Sequence, residues 1–191
     1  MTLKTIWLLK WQNRSVPGVQ STQAKVAAFA IFGWMVHQDG PWDPKPYIRT
    51  HGWPRYSHQI GDYWYYYDIW GNIMFGYLGT AAGFSDSELL EGAGLEQIGS
   101  AIGTCMSRSI RRDPCTLPCR ERGVTGLKAW DHPHDRVTAK IGIRLWKERD
   151  INLQTHDLIN AIVDAGDKYE IPRQLEPWGD EKGPMSWWGG P

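Results

Sequence analysis

From Ile69 to Phe84 the chain reads IWGNIMFGYLGTAAGF and carries no charged side chain. So long an uncharged run belongs in a core. Gly76, Gly79 and Gly83, three or four residues apart, suit a helix that a second helix approaches closely. The aromatic stretch just before it, DYWYYYDIW, favours a strand or loop. The segment Tyr65 to Gly83 is therefore expected to pass from strand or loop into helix. The fold class expected is mainly α, with α+β as the open variant: a single compact helical domain with a long aromatic-rich loop and short β elements.

The remaining punctuation agrees with helices. Ser21 or Thr22 is positioned to cap a helix running to about His37, where Gly40-Pro41 stops it. Apolar residues cover every side of Val26–Val36, so this helix is expected to be buried all round. From Gly40 to Gly61, GPWDPKPYIRTHGWPRYSHQIG has loop chemistry. Ser85 with Glu88 forms a capping box for a helix carrying Leu89, Leu90, Leu95, Ile98 and Ile102, which Gly92 and Gly94 are expected to interrupt. Asp131 or Asp135 is expected to start a helix with Val137, Ile141 and Leu145 on one face. Another is expected from about Thr155 to Tyr169. The division read from these signals is an N-terminal extension over residues 1–20, a domain over 21–170 and a Pro/Gly/Trp-rich tail over 171–191, lying over the surface or hanging free.

Charge narrows the function. Lys and Arg total 21 and Asp and Glu total 21, so no net field gathers a phosphate backbone and nucleic acid is not an expected partner. One basic stretch, Arg108 to Arg122, reads either as an anion patch or as a solvated loop. Against only 4 Phe stand 12 Trp and 8 Tyr; such amphipathic aromatics serve a core or a surface that grips sugars, membranes or proteins. Cys105, Cys115 and Cys119 leave one over after any pairing; Pro114 and Pro118 suggest a turn, and Cys115 and Cys119 can oxidise only where that turn brings them together. No metal and no cofactor is expected from these spacings. The apolar run near the N-terminus is broken by Lys4 and Lys10 and lacks a small-residue cleavage site, so no signal peptide is expected. Val26–Val36 has about half of the roughly 20 residues that a bilayer-spanning helix needs.

Four constellations carry possible chemistry. In GPWDPK a Pro-rich turn fixes Asp43 and Lys45, the lysine as an anion contact or charge partner, with Trp42 as a platform or a surface anchor. Asp68 lies among Tyr67, Trp70 and their neighbours, where desolvation raises a carboxyl pKa and suits it to acid or base work. Asn72, one helical turn on, orients substrate or water; the plainer alternative makes Asp68 a helix cap and Asn72 a buried amide. The glycine series means tight packing or, in an uncharged helix, entry into a bilayer. Finally AWDHPHD brings Asp131, His132, His134 and Asp135 together as part of a metal site or an acid and base pair, or as helix caps with exposed imidazoles.

GPWDPK, YDIWGNIMFGYLGTAAGF, LLEGAGLEQIG and GLKAWDHPHDR followed by IGIRLW, in this order over roughly residues 25 to 150, resemble the successive motifs of the type 44 polymorphic toxin domain. The resemblance implies an interbacterial toxin, often delivered by type VI secretion on a tube or spike carrier, exported without a cleaved signal peptide and neutralised by a cognate immunity protein. Its polar pattern falls on Lys45, Asp68, Asn72, Asp131 and Asp135. The chain departs from it at Met74, where a polar residue commonly stands, and at Phe75, where Tyr does.

Three mechanisms follow. A peptidoglycan glycan hydrolase acting in the target periplasm or envelope uses Asp68 as acid, Asp131 or Asp135 as base or stabiliser, and Lys45, Asn72, Trp42, Tyr67, Trp70, His132 and His134 to bind substrate. This reading employs the most residues. A ribonuclease uses His132 or His134 with Lys45 and the Arg stretch, against the zero net charge. A pore former uses the glycine-spaced helices from Gly71 to Gly103.

Overall fold

The computed structural model describes residues 19–37, 40–51, 56–111 and 120–178. The expected extension over 1–18, Cys115, Cys119 and the tail beyond 178 lie outside the described residues. Six α-helices and a small antiparallel sheet make up the described chain: α1 (Val19–Val36), α2 (Lys45–His51), β1 (Ser57–Ile60), β2 (Tyr63–Tyr66), α3 (Ile69–Ala81), α4 (Asp86–Arg111), α5 (Pro133–Arg149), α6 (Thr155–Asp167) and β3 (Arg173–Gln174). The fold is thus mainly α with short β elements. Between α4 and α5 a 3-10 turn spans Leu127–Trp130.

The charge-free helix α3 is the centre of the fold. It lies so close to α5 that a Cβ on Gly76 would collide with the Ala139 carbonyl, and one on Gly142 with the Ile73 carbonyl. Backbone-to-backbone approach of this kind admits no side chain, which gives the glycine spacing a packing role within the domain. Either end of α3 feeds a separate apolar cluster. Leu78 and Ala82 join Phe32 of α1, Leu89 of α4 and Ile143 of α5, while Ile69 and Ile73 join Tyr65, Ile141, Leu145, Ile162 and Ile171. No helix among the described residues is long and apolar enough to cross a membrane.

Several sequence expectations are corrected. Helix α1 begins at Val19, so Ser21 and Thr22 sit inside it. It is also not buried all round: Ala28 and Phe32 are fully covered, whereas Val26, Ile31 and Trp34 are exposed. Only one side of α1 meets another element, and composition alone does not report which side. The Gly40–Gly61 stretch is not all loop, because it contains α2 and β1. Asp43 Oδ1 accepts the Lys45 N–H at 3.0 Å and starts α2. Gly61, at φ +61°, supplies the left-handed residue for the two-residue turn from β1 to β2.

Helix α4 is continuous through Gly92 and Gly94. Neither glycine acts as a breaker; each admits a neighbour, Gly92 the Phe29 ring and Gly94 the Leu127 carbonyl. The capping box that starts α4 is formed, with Glu88 Oε2 accepting the Ser85 N–H at 2.9 Å and Ser85 Oγ accepting the Glu88 N–H at 3.4 Å. Leu89 and Leu90 are buried, but Leu95 and Ile102 are exposed. Helix α5 starts at Pro133 with His132 in the capping position, so neither Asp131 nor Asp135 caps it. Proline needs no N–H partner at the first helical position, which leaves both carboxyls for other contacts.

The first part of the expected tail is built into the fold. β3 pairs with β2 in the register Trp64 to Gln174 and Tyr65 to Arg173, and Trp178 is buried against Tyr66 and Tyr67. Cys105 is disulfide-bonded.

Candidate active site

Lys45, Asp68, Asn72 and Asp135 come from three separate places in the chain and meet at the start of α3. The turn from β2 into α3 presents Asp68, which makes no capping hydrogen bond to α3. Its Oδ1 instead lies 2.5 Å from Lys45 Nζ, both side chains about three-quarters buried. Gly71 leaves room for the lysine stem, since a Cβ there would lie 2.7 Å from Lys45 Cε. Asn72, in the first turn of α3, donates its Nδ2–H to Asp135 Oδ1 at 2.8 Å. The partner of the Asn72 amide is thus a carboxyl of the same group.

Asp131 and His132 arrive on the loop before α5, held by a buried arginine. Arg136 Nη1 donates to the carbonyls of Lys128 at 2.8 Å and Asp131 at 3.1 Å, and its Nη2 pairs with Glu121. Glu91 on α4 accepts the Leu127 and Lys128 N–H groups and fixes the 3-10 turn from the other side. His134 is oriented in turn by its Nδ1, which lies 3.2 Å from the Glu170 carbonyl. A carbonyl only accepts, so Nδ1 carries the proton. The His132 and His134 rings stand 5.0 Å apart.

The electrostatics separate the acids. Burial pushes Asp135 well above the usual carboxyl range, and the nearby Asp68 and Asp131 push it further against the pull of Lys45 and the Asn72 hydrogen bond. Asp131 rises to about 7, chiefly because it is buried, although Arg136 and the His132 N–H favour its charged form. Its Oδ2 has no hydrogen-bond partner among the described residues. Burial alone would lower the Lys45 pKa, but Asp68, Asp135 and Asp43 outweigh it and hold the ammonium charged. Burial lowers His132 to about 4, helped by His134, and lowers His134 as well. Both imidazoles are therefore neutral at neutral pH.

A small open-mouthed pocket borders this group. Asp68, His132, His134 and Asp135 supply its polar lining, Tyr66 and Ile69 its apolar wall, and Thr138 and Pro172 complete the rim. A buried carboxylic acid beside a lysine-paired carboxylate can deliver a proton while the second group meets developing positive charge. No group of three or more His, Cys, Asp or Glu among the described residues is arranged to hold a metal ion.

Of the residues singled out in the sequence, Lys45, Asp68, Asn72, Asp131, His132, His134 and Asp135 are brought together. The three aromatics are placed in packing. Trp42 lies against the α1–α3–α4 cluster, Tyr67 is buried with Tyr66 and Trp178, and Trp70 packs on the second cluster while its Nε1–H donates to His58 Nδ1 at 2.6 Å. Other members had no predicted role. Glu96, partly exposed on α4, is close enough to raise Asp131, and its own carboxyl is raised by burial against the pull of Lys45 and His37. Arg136 and Glu121 clamp the loop, and Tyr66, from the aromatic run beside Asp68, forms the wall. Arg136 closes the motif GLKAWDHPHDR, so the places of Arg136 and Tyr66 in the string were visible; Glu96 and Glu121 carry no local signal.

The family model described as bacterial toxin 44 matches residues 31–148. That span contains Lys45, Asp68, Asn72, Asp131, His132, His134 and Asp135, and stops before Glu170 and Pro172. Comparison with curated proteins and with solved structures returns no match. The family model covers more than half of the chain, with the polar cluster inside it, and the chain therefore belongs to the bacterial toxin 44 family.

Proposed function

We propose that this toxin attacks the competitor cell envelope by hydrolysing glycosidic bonds of peptidoglycan, with Asp135 as general acid and Asp68 as the carboxylate that stabilises or captures the developing sugar cation. The observation that carries the reading is the pairing of two unlike carboxyls on one pocket: Asp68 held by Lys45, and Asp135 forced toward its neutral form by burial and by Asp68. A carboxylic acid kept neutral by burial beside a second, charge-paired carboxyl is a working arrangement of glycosidases. Relative to the sequence reading, the roles change places. Asp68 is charge-paired, so the proton falls to Asp135, with Asp131 as a second protonated neighbour. Lys45 and Asn72 position these acids, and His132 and His134 contact substrate.

Export without a cleaved signal peptide, carriage by a type VI tube or spike component, action in the target periplasm and neutralisation by a cognate immunity protein belong to the same proposal. The family membership supports the toxin itself. The ribonuclease reading has one observation in its favour, the two imidazoles on the pocket. Against it, burial leaves both rings uncharged and Lys45 is committed to Asp68, so little positive charge faces a phosphate.

Targeted expression in a bacterial host, cytoplasm against periplasm, tests the proposal. The native chain should lyse or round cells only from the periplasm, and purified protein should release glycan fragments from isolated peptidoglycan. Asp135→Asn and Asp68→Asn should each lose about 100-fold or more of that release. Killing from the cytoplasm with RNA loss would replace the hydrolase by the nuclease; leakage of glycan-free liposomes would replace it by a pore.

A further inference from the structure

The site is closed on one side by chain that follows the family match. Glu170 supplies the carbonyl that accepts from His134 Nδ1, and Pro172 lines the pocket beside Asp135 and Thr138. This stretch is fastened at three points. β3 pairs with β2, the Trp178 N–H donates to the fully buried Ser57 Oγ at 2.9 Å, and the Trp178 ring stands edge-on to Tyr66, itself a pocket wall, at 6.0 Å. Ile171 is buried in the cluster of α3, α5 and α6. So extensive a fastening is more than a free tail needs.

We infer that Glu170 to Trp178 forms a working wall of the acid pocket, with Glu170 positioning the His134 imidazole and Pro172 setting the width of the mouth through which substrate reaches Asp68 and Asp135. The inference deepens the proposed hydrolase site and rests on that site being the working one. Its physical content is the tautomer of His134. The Glu170 carbonyl holds the proton on Nδ1, whereas an imidazole released into water favours Nε2–H, so the wall decides which ring nitrogen donates and which accepts. Selection of substrate by shape then belongs to residues 170–178 as well as to the polar cluster.

Nitrogen NMR of the histidine rings at pH 8, together with killing from the periplasm, tests this in the full chain. The native protein should show His134 with its proton on Nδ1. Trp178→Ala should melt lower, shift His134 toward the Nε2–H form and kill about 10–100-fold less well; Trp178→Phe, which keeps an aromatic edge on Tyr66, should restore all three. Because Trp178→Ala can fail to fold, Pro172→Trp provides a second arm: it narrows the mouth at the rim, and should abolish killing with an unchanged melting temperature and an unchanged His134 tautomer. A folded Trp178→Ala protein that keeps the Nδ1 proton, or a Pro172→Trp protein that kills like the native chain, overturns the inference. A harmless Pro172→Trp beside a lethal Asp135→Asn rejects the acid assignment and keeps the wall; the reverse pair keeps the acid and rejects the wall.

Discussion

Lys45 and Asp68 illustrate how a single ion pair allots roles among chemically identical side chains. Asp68, Asp131 and Asp135 are all aspartates, yet only Asp68 has an ammonium at 2.5 Å. Lys45→Met should leave a partly buried carboxylate uncompensated and lower unfolding stability by about 1–3 kcal/mol, measurable by urea titration. Asp131 and His132 give opposite pH dependences. Folding raises Asp131 from 3.8 to about 7, so its contribution favours the folded state at low pH and is lost as pH rises through about 7. Folding lowers His132 from 6.5 to about 4, so the unfolded chain binds the extra proton in that window and stability rises with pH across it. The two slopes oppose each other between about 4 and 6.5, and Asp135, raised in the same direction as Asp131, adds a loss of its own as pH rises. Asp131→Asn should therefore make stability fall less between about pH 4 and 7 than in the native chain, and raise it at pH 8 by about 1–3 kcal/mol. A variant whose melting temperature follows pH as the native chain's does would count against Asp131 as a titrating group. At this scale the sequence named seven of the clustered polar residues but not the pairing of Lys45 with Asp68, because the charge partner and the depth of burial come from chain distant in sequence.

Among the helices, glycine has three separate meanings that spacing does not distinguish. At Gly76 and Gly142 the α3 and α5 backbones meet, and an added methyl collides with a carbonyl that cannot swing aside. Gly76→Ala and Gly142→Ala should each cost about 1–3 kcal/mol by thermal or urea unfolding, and more where the helices are forced apart. Gly94 meets the Leu127 carbonyl, so Gly94→Ala should move the turn that leads to Asp131 and lower toxicity as well as stability. Gly99 has open space around its Cβ position and lies inside α4. Gly99→Ala should therefore stabilise by about 0.5–1 kcal/mol through helix propensity alone, with toxicity unchanged. Equal effects at Gly76 and Gly99 would refute the packing explanation. The uncharged glycine-rich run was readable as a closely packed helix, but whether lipid or α5 covers it was a question of partner. The capping boxes at α4 and α6 were a different case: Ser85 with Glu88, and Gln154 with Asp157, act within three residues, so the start of each helix is a local property.

For the molecule as a whole, the disulfide at Cys105 ties the far half of α4, whose Leu95, Ile102, Met106 and Ile110 are exposed. Reduction should cost about 2–3 kcal/mol of unfolding stability, read as a lower urea midpoint with reductant than without. An unchanged midpoint would mean that this bond does not constrain the unfolded chain. By itself the sequence determined that the chain is mainly helical, that α3 belongs in the core, where α4 and α6 begin, and that the motif order is that of a toxin family. Each of these rests on short-range signals, such as capping, periodicity and composition, or on the order of motifs. Only the tertiary structure decided that α1 has one covered side over its described side chains, that Trp42, Tyr67 and Trp70 pack against the clusters, that Lys45 pairs with Asp68, and that Pro172 comes to line the pocket. Burial and charge pairing are properties of surfaces that meet across the fold, and no stretch of chain carries them alone.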